Sequence, residues 1–189
     1  MYCLLVGYIF GCFQSAYIFS KTFKKPDIRN YGSGNLGTTN ASRILGIKFG
    51  FAVFVFDVLK AVLSCLLAKY LFKHDLAIIW SGLGVILGHD FPFFLKFKGG
   101  KGIACLIGLV LAIDYKMAPM FAISMLPAVF ISRKISVGSL VFALSVPIIF
   151  FKKSNLEMLI LLILIALLSI FQHRQNIVRL IKKQEPNSF

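Results

Sequence analysis

The stretch LEMLILLILIALLSIF at residues 156–171 carries a single charged residue and decides the fold class. Across the whole chain of 189 residues, 58% are hydrophobic and 15% are charged, so polar surface is too scarce to cover a water-soluble globule. Only helices and closed barrels satisfy the backbone in lipid. Barrel strands alternate apolar and polar residues, whereas the apolar runs here do not. The sequence therefore predicts an all-α integral membrane protein.

The apolar segments number seven and predict a polytopic bundle of about seven transmembrane helices. They run over residues 2–20, 49–68, 76–95, 103–115, 117–132, 136–151 and 156–172. A straight helix needs about 20 residues to cross a bilayer. The two short segments within 103–132 could therefore form one bent pair that dips only partway into the membrane. The length and the lack of a long linker predict a single domain, residues 1–189.

The net charge of +14 bears on topology and on partners. With seven spans, one side of the membrane holds 15 of the 21 lysines and arginines, and the other side holds five. The positive-inside rule then places the N-terminus outside and the C-terminus in the cytoplasm. In a soluble protein this charge would suggest nucleic acid. Here membrane topology and anionic membrane lipids account for much of the excess positive charge, so no nucleic-acid partner is predicted. The rest of the positive charge indicates an anionic ligand.

Two glycine-rich, cationic segments are the best candidates for binding that ligand. The first, which we call the first glycine loop, reads GSGNLGTTN at residues 32–40 and continues to Arg43. Glycine lets the backbone approach a ligand and point amides at it, and Arg43 could present a planar fork to a phosphate. The predicted binding residues are Gly32, Ser33, Gly34, Asn35, Asn40 and Arg43. The alternative is that this segment is a flexible polar connector whose arginine only follows the positive-inside rule.

The second glycine loop reads KFKGGKG at residues 96–102 and precedes an apolar run. Free amides at the start of that run would favour an anion, and the predicted contacts are Gly99, Gly100, Lys101 and Gly102. The loop is not a Walker A motif, because Gly102 stands where that motif has a hydroxyl, and ATP hydrolysis is not expected. Its lysines could instead form a basic anchor at the membrane edge. Both loops fall on the predicted cytoplasmic face, which indicates one shared site.

Polar residues near the same face include one histidine and two serines. His89, in the stretch GHDFP at residues 88–92, could act as a base or cap its helix, and the capping role is favoured. Ser136 and Ser139 follow a basic pair at the same predicted level, a weak signal by itself. His89, Ser136 and Ser139 are included among the predicted substrate-binding residues.

The C-terminal segment HRQNIVRL, residues 173–180, adds another polar face. On a helix, His173 and Asn176 lie on the same side. The acidic residues form no cluster fit for a divalent cation, so no metal or other cofactor is predicted. Asp57 and Lys60 are spaced to pair within a helix, a structural role favoured over a proton relay.

With these pieces assembled, the chain resembles the bacterial acyl-phosphate:glycerol-3-phosphate acyltransferase family, known as PlsY. Three stretches carry the resemblance, in the family's order: GSGNLGTTNASR at 32–43, GHDFPFFLKFKGGKG at 88–102 and HRQNIVRL at 173–180. Three residues depart from the family's usual ones: Thr38 replaces alanine, Gln175 replaces glutamate and Lys183 replaces glycine.

The resemblance implies acyl transfer from an acyl phosphate to the 1-hydroxyl of glycerol 3-phosphate. The products would be lysophosphatidic acid and phosphate, in the first step of phospholipid synthesis. It implies seven spans in the cell inner membrane, with the site on the cytoplasmic face. Residues implied to bind glycerol 3-phosphate are Arg43, Lys101, Ser139, His173 and Asn176. Those implied to hold the acyl phosphate are Ser33, Gly99 and Gly100.

An acyl phosphate is already activated, so this reaction needs no metal and no covalent enzyme intermediate. The family is thought to deprotonate the hydroxyl with the substrate's own phosphate, and His173 as base is the competing mechanism. An anion transporter is the main alternative function, although transporters usually place broken helices near mid-membrane, in two related halves. A lipid-binding scaffold is a weaker alternative, because it needs basic residues but not glycines.

Overall fold

The computed structural model describes residues 2–23, 26–74 and 76–188. The chain folds as two compact units, Met1–Ile113 and Asp114–Phe189, which are described separately below. In the described residues every regular element is helical, which confirms the predicted all-α class. The single-domain organisation stays a prediction.

The first unit contains six α-helices among its described residues. They are α1 Tyr2–Cys12, α2 Ser15–Thr22, α3 Thr38–Leu45, α4 Ile47–Phe72, α5 Ala77–Asp90 and α6 Ile103–Asp114, the last ending at the unit boundary. Short 3₁₀ turns occupy Ile28–Asn30 and Phe93–Leu95. The predicted segment 2–20 is thus two helices, separated by Phe13 and Gln14.

The second unit contains four α-helices among its described residues. They are α7 Ala118–Ser132, α8 Ile135–Phe150, α9 Leu156–Gln172 and α10 Arg174–Ile181. Pro127 and Pro147 lie inside α7 and α8 without ending either helix. Phe121 of α7 packs against Phe142 and Phe150 of α8, with ring centroids 5.3 and 5.9 Å apart.

Five helical stretches of the described chain are long and apolar enough to cross a membrane. They are Tyr2–Thr22, Ile47–Phe72, Ala77–Leu95, Ile103–Ser132 and Ile135–Lys153. A sixth would be α9 with α10, which meet at a bend of 57°. The two short predicted segments within 103–132 belong to one of these stretches. The protein is an integral membrane protein, while the count of seven spans and the orientation stay predictions.

Glycines bring α1 and α5 into backbone contact in the first unit. A Cβ added at Gly7 or Gly11 would collide with the carbonyl oxygen of Ser81 or Val85, and a Cβ at Gly84 with that of Leu4. This is the small-xxx-small pattern by which membrane helices approach closely. It positions α5, which precedes the second glycine loop in the chain.

Gly84→Val is therefore expected to destabilise the first unit by about 3 kcal/mol, because the obstacle is backbone rather than a movable side chain. Chemical unfolding in detergent measures the effect. The matched control is Ile9→Val on α1, where the side chain is 63% exposed and should cost little. Equal stability of Gly84→Val and the control would contradict this packing.

A small apolar core lies under the first glycine loop. Its buried members are Ala16, Ile28, Leu36, Ala41, Leu45, Val53 and Leu95. They come from α2, α3, α4, the 3₁₀ turns and the first glycine loop itself. Because Leu36 and Leu95 sit in or beside the two glycine loops, this core holds both loops against the helices.

Candidate active site

Asn40 shapes the first glycine loop from within. Its Nδ2 lies 3.1, 3.2 and 3.0 Å from the carbonyl oxygens of Ile28, Tyr31 and Asn35. Its Oδ1 accepts from the Ser33 amide at 3.0 Å. The sequence predicted Asn40 as a donor to substrate; in the structure it is buried and organises the loop backbone, and a substrate contact stays a prediction.

Left-handed backbone at Gly32 and Gly34, with φ of 60° and 68°, completes this turn. A Cβ at Gly32 would collide with Asn40 Oδ1, so the glycine is needed for the close approach as well as for φ. The turn leaves Ser33 exposed at its tip. Arg43 is also exposed, on α3.

Asp27 and Arg29 anchor the start of this loop. Arg29 donates to Asp27 through Nε at 3.0 Å and Nη2 at 2.7 Å, and its guanidinium stacks over the Tyr17 ring, 4.7 Å from the centroid. These hydrogen bonds from Arg29 lower the pKa of the Asp27 carboxyl below its ordinary value.

The two glycine loops are hydrogen-bonded to each other. The Gly99 carbonyl oxygen accepts from Asn35 Nδ2 at 3.1 Å and from the Leu36 amide at 3.2 Å. The same Asn35 side chain accepts from the Gly37 amide at 2.9 Å. We call this contact the loop junction. It brings together two segments that are more than 60 residues apart in sequence.

The amides of Gly99 and Gly100 point into the protein. They donate to the carbonyl oxygens of Asp90 at 3.1 Å and His89 at 2.9 Å. The sequence predicted that these amides would face an anion. They turn inward because α5 ends at Asp90 and leaves carbonyls that need donors. Lys101, half-buried, follows directly, before α6 begins at Ile103.

His89 is buried at the end of α5 and takes part in a polar network. Its Nδ1 lies 2.9 Å from the Lys60 Nζ, which also pairs with Asp57 Oδ1 at 2.9 Å. The predicted pairing of Asp57 with Lys60 is thus present. The contact of Lys60 with His89 was not foreseen, because nothing in the spacing relates α4 to α5.

In the second unit, His173 lies at the bend between α9 and α10. Its Nδ1 is 2.8 Å from the Ser169 carbonyl oxygen. A carbonyl only accepts, so Nδ1 carries a proton and Nε2 is the acceptor nitrogen of the neutral ring. Ser139 is buried on α8.

Glu185 is a residue that the sequence reasoning missed. Its carboxylate accepts from Ser136 Oγ at 2.8 Å, Asn176 Nδ2 at 2.6 Å and Arg179 Nε at 2.7 Å. The chain reaches it through Lys183, which has the left-handed φ of 56°, where the family is expected to have glycine. Two predicted substrate ligands, Ser136 and Asn176, are therefore positioned by one carboxylate.

Acidification is expected to loosen this tail. Burial raises the pKa of the Glu185 carboxyl, but the hydrogen bonds from Arg179, Asn176 and Ser136 outweigh burial and bring the pKa below its ordinary value of 4.5. The stabilisation is thus complete above pH 4.5 and is lost as the pH falls through the lower pKa of the folded protein.

Hydrogen exchange of the Gln184 and Glu185 amides, which both donate to the Arg179 carbonyl, reports this loss. In the wild type, protection of these amides, corrected for intrinsic exchange rates, should decrease as the pH drops below 4.5. It should be low and independent of pH in Glu185→Gln. The same pH dependence in both proteins would contradict the role of this carboxylate.

Comparison with known proteins places the chain in a family. The model of the family described as glycerol-3-phosphate acyltransferase matches residues 1–183. The chain belongs to that family. It is an acyltransferase, and the resemblance drawn from the three sequence stretches is confirmed.

Relatives and solved structures of the family cover nearly the whole chain. The glycerol-3-phosphate acyltransferase of Thermoanaerobacter sp. (strain X514) is 39% identical over 183 residues, covering 96% of this chain and 91% of the relative. That of Prochlorococcus marinus (strain NATL1A) is 38% identical over 188 residues, covering 97% and 95%.

The structure is also similar to a crystal structure of PlsY, an integral membrane glycerol 3-phosphate acyltransferase, in its glycerol 3-phosphate form. The TM-score is 0.91 at 34% sequence identity, and the match covers 98% of this chain and 94% of that one. Its lysophosphatidic acid form gives 0.89 at 33% identity, covering 98% and 93%.

Proposed function

We propose that the protein transfers an acyl group from an acyl phosphate to the 1-hydroxyl of glycerol 3-phosphate, giving lysophosphatidic acid and phosphate. The observation that carries the proposal is the loop junction, in which the Asn35 side chain and the Gly99 carbonyl join two cationic glycine loops. Two phosphorylated substrates need cations and polar groups held close together. PlsY has been solved in glycerol 3-phosphate and lysophosphatidic acid forms, which supports the same substrate and product here.

The proposed residue roles divide by chemistry. Ser33, in the first glycine loop, is proposed to hold the acyl phosphate, and Lys101 is proposed to bind glycerol 3-phosphate and to stabilise charge on the carbonyl oxygen and the leaving phosphate. Since the Gly99 and Gly100 amides donate inward, we assign these glycines to shaping the loop rather than to donating to substrate. The remaining proposed ligands of glycerol 3-phosphate are Arg43, Ser136, Ser139, His173 and Asn176.

In the reaction the 1-hydroxyl oxygen attacks the acyl carbonyl carbon, and the bond from that carbon to the phosphate oxygen breaks. The phosphate leaves with the electron pair, and the hydroxyl proton must pass to a base. Two groups could take it: the phosphate of the bound substrate, or His173 Nε2. The hydrogen bond from His173 Nδ1 to Ser169 supports an acceptor role for Nε2.

We further propose that the reaction occurs at the cytoplasmic face of the inner membrane. Lysines and arginines concentrate in and around the two glycine loops, and the positive-inside rule assigns such segments to the cytoplasm. A soluble phosphorylated substrate and a membrane-soluble acyl donor could meet there.

A radiolabel assay tests the function. Purified protein is given labelled glycerol 3-phosphate with either palmitoyl phosphate or palmitoyl-CoA, and the lipid fraction is scored for lysophosphatidic acid. Product is expected with palmitoyl phosphate and not with palmitoyl-CoA. Equal rates with both donors would contradict the proposal that acyl phosphate is the specific donor. No product with either donor would contradict the proposed acyltransferase function.

A further inference from the structure

A break in the first membrane stretch is filled by a lysine from another helix. Between α1 and α2, Phe13 and Gln14 are not helical. Lys60 Nζ of α4 lies 2.7 Å from the Phe13 carbonyl oxygen and 3.3 Å from that of Gly11. Lys60 is only 5% exposed, so these contacts and its carboxylate partner must satisfy a buried charge.

The same ammonium group contacts His89. Lys60 Nζ is 2.9 Å from His89 Nδ1 and 2.9 Å from Asp57 Oδ1. Ser15 donates to that same carboxylate oxygen at 3.1 Å, which ties α2 to α4. Three short contacts, to Phe13, Asp57 and His89, thus match the three protons of an ammonium group.

This geometry fixes the tautomer of His89. An ammonium group has donors and no acceptor, so Nδ1 of His89 must be the unprotonated nitrogen. A neutral ring then carries its proton on Nε2. The Nε2 side of the ring faces the second glycine loop, because a Cβ added at Gly100 would collide with Nε2 itself. The loop amide at Gly100 also donates to the His89 carbonyl oxygen at 2.9 Å.

We propose that Lys60 and Asp57 are positioning residues that hold His89 as the Nε2–H tautomer, so that the ring presents a donor to the second glycine loop beside Lys101. The inference rests on the proposed function, in which Lys101 of this loop stabilises the leaving phosphate. Asp57 balances the charge of Lys60, and Lys60 in turn sets the proton of His89. The pair acts through His89 and does not touch the substrate.

The tautomer can be measured without any variant. In protein labelled with ¹⁵N-histidine, the His89 signals should show a bare Nδ1 and a protonated Nε2. The chain has three histidines, and His173 should show the opposite pattern, with the proton on Nδ1. Loss of signals in His89→Gln assigns them. A protonated Nδ1 on His89 in the wild type would overturn the proposal.

A charge-neutral double variant tests the positioning role. Asp57→Asn with Lys60→Met removes the donor to His89 without leaving a lone buried charge. We expect His89 to populate both tautomers. The kcat/KM for acyl phosphate should fall about 30-fold, as when a residue that orients a site side chain is lost, and the KM for glycerol 3-phosphate should change less than about threefold. Wild-type tautomer and activity in this variant would overturn the proposal.

Two matched controls separate positioning from packing. Ser64→Ala removes a buried contact between the same helices, Ser64 Oγ to Ser81 Oγ at 2.8 Å, and should leave the tautomer and the kinetics unchanged. In His89→Gln, the amide oxygen can still accept from Lys60 and the amide NH₂ group can still donate toward the second glycine loop. It should retain about a tenth of the activity or more, whereas His89→Leu should lose about 100-fold.

Equal losses in His89→Gln and His89→Leu would overturn the proposal even if the double variant does not fold. Wild-type protein without acyltransferase activity would refute the proposed function instead. The histidine signals would then still decide the tautomer.

Discussion

Lys101→Ala is expected to lower kcat by about 10³-fold, the upper range for losing one group that stabilises developing charge. Lys101 follows Gly99 and Gly100, whose backbone amides donate to carbonyl oxygens at the end of α5. The backbone that leads into Lys101 is therefore fixed, and its ammonium group is proposed to stabilise the leaving phosphate. Single-turnover measurement of lysophosphatidic acid formation checks the chemical step directly.

The matched control for Lys101→Ala is Lys98→Ala, an exposed lysine of the same loop. It should change kcat less than about threefold, since an exposed charge is well screened. Both variants should insert and purify as the wild type does. Equal activity of the two variants would mean that Lys101 serves only as a basic anchor at the membrane edge, the alternative left open by the sequence.

Gly99→Ala is expected to lower kcat/KM by about 100-fold, because it disrupts the loop junction itself. A Cβ at Gly99 would collide with the His89 carbonyl oxygen and lie 2.9 Å from the Asp90 carbonyl oxygen. These are backbone atoms at the end of α5, so the loop must move rather than its neighbours. Its movement would separate Gly99 from Asn35 and Leu36.

Gly37→Ala provides the comparison for Gly99→Ala. The nearest atom to a Cβ at Gly37 is Asn35 Oδ1 at 2.9 Å. A shift of that side chain would weaken its hydrogen bond to Gly99 but leave the one from the Leu36 amide in place. Gly37→Ala should therefore lose less activity than Gly99→Ala. Initial rates over a range of acyl phosphate concentrations give both values, and a larger loss for Gly37→Ala would contradict the geometry of the junction.

The sequence predicted the fold class and the loops because these depend on local composition. The apolar run 156–172 coincides with α9, and the two glycine loops do meet. The direction of the Gly99 and Gly100 amides could not be predicted, since it depends on where α5 ends and which carbonyls it leaves unpaired.

Other features depend on contacts between distant helices. The break between α1 and α2 contains no proline, and its signal was the polar pair Gln14–Ser15 inside an apolar run. Gln14 donates to the His89 carbonyl oxygen at 3.1 Å, a contact that only packing could reveal. Glu185 was overlooked because a single acid in a basic tail has no distinctive spacing.

The most direct test of the account follows the oxygen atom that bridges carbon and phosphorus in the acyl phosphate. With that oxygen labelled as ¹⁸O, attack on the acyl carbon expels phosphate that retains the label. Phosphorus NMR should then find ¹⁸O in all the phosphate released, with one phosphate for each lysophosphatidic acid. Unlabelled phosphate, or lysophosphatidic acid formed without phosphate release, would contradict acyl transfer from an acyl phosphate.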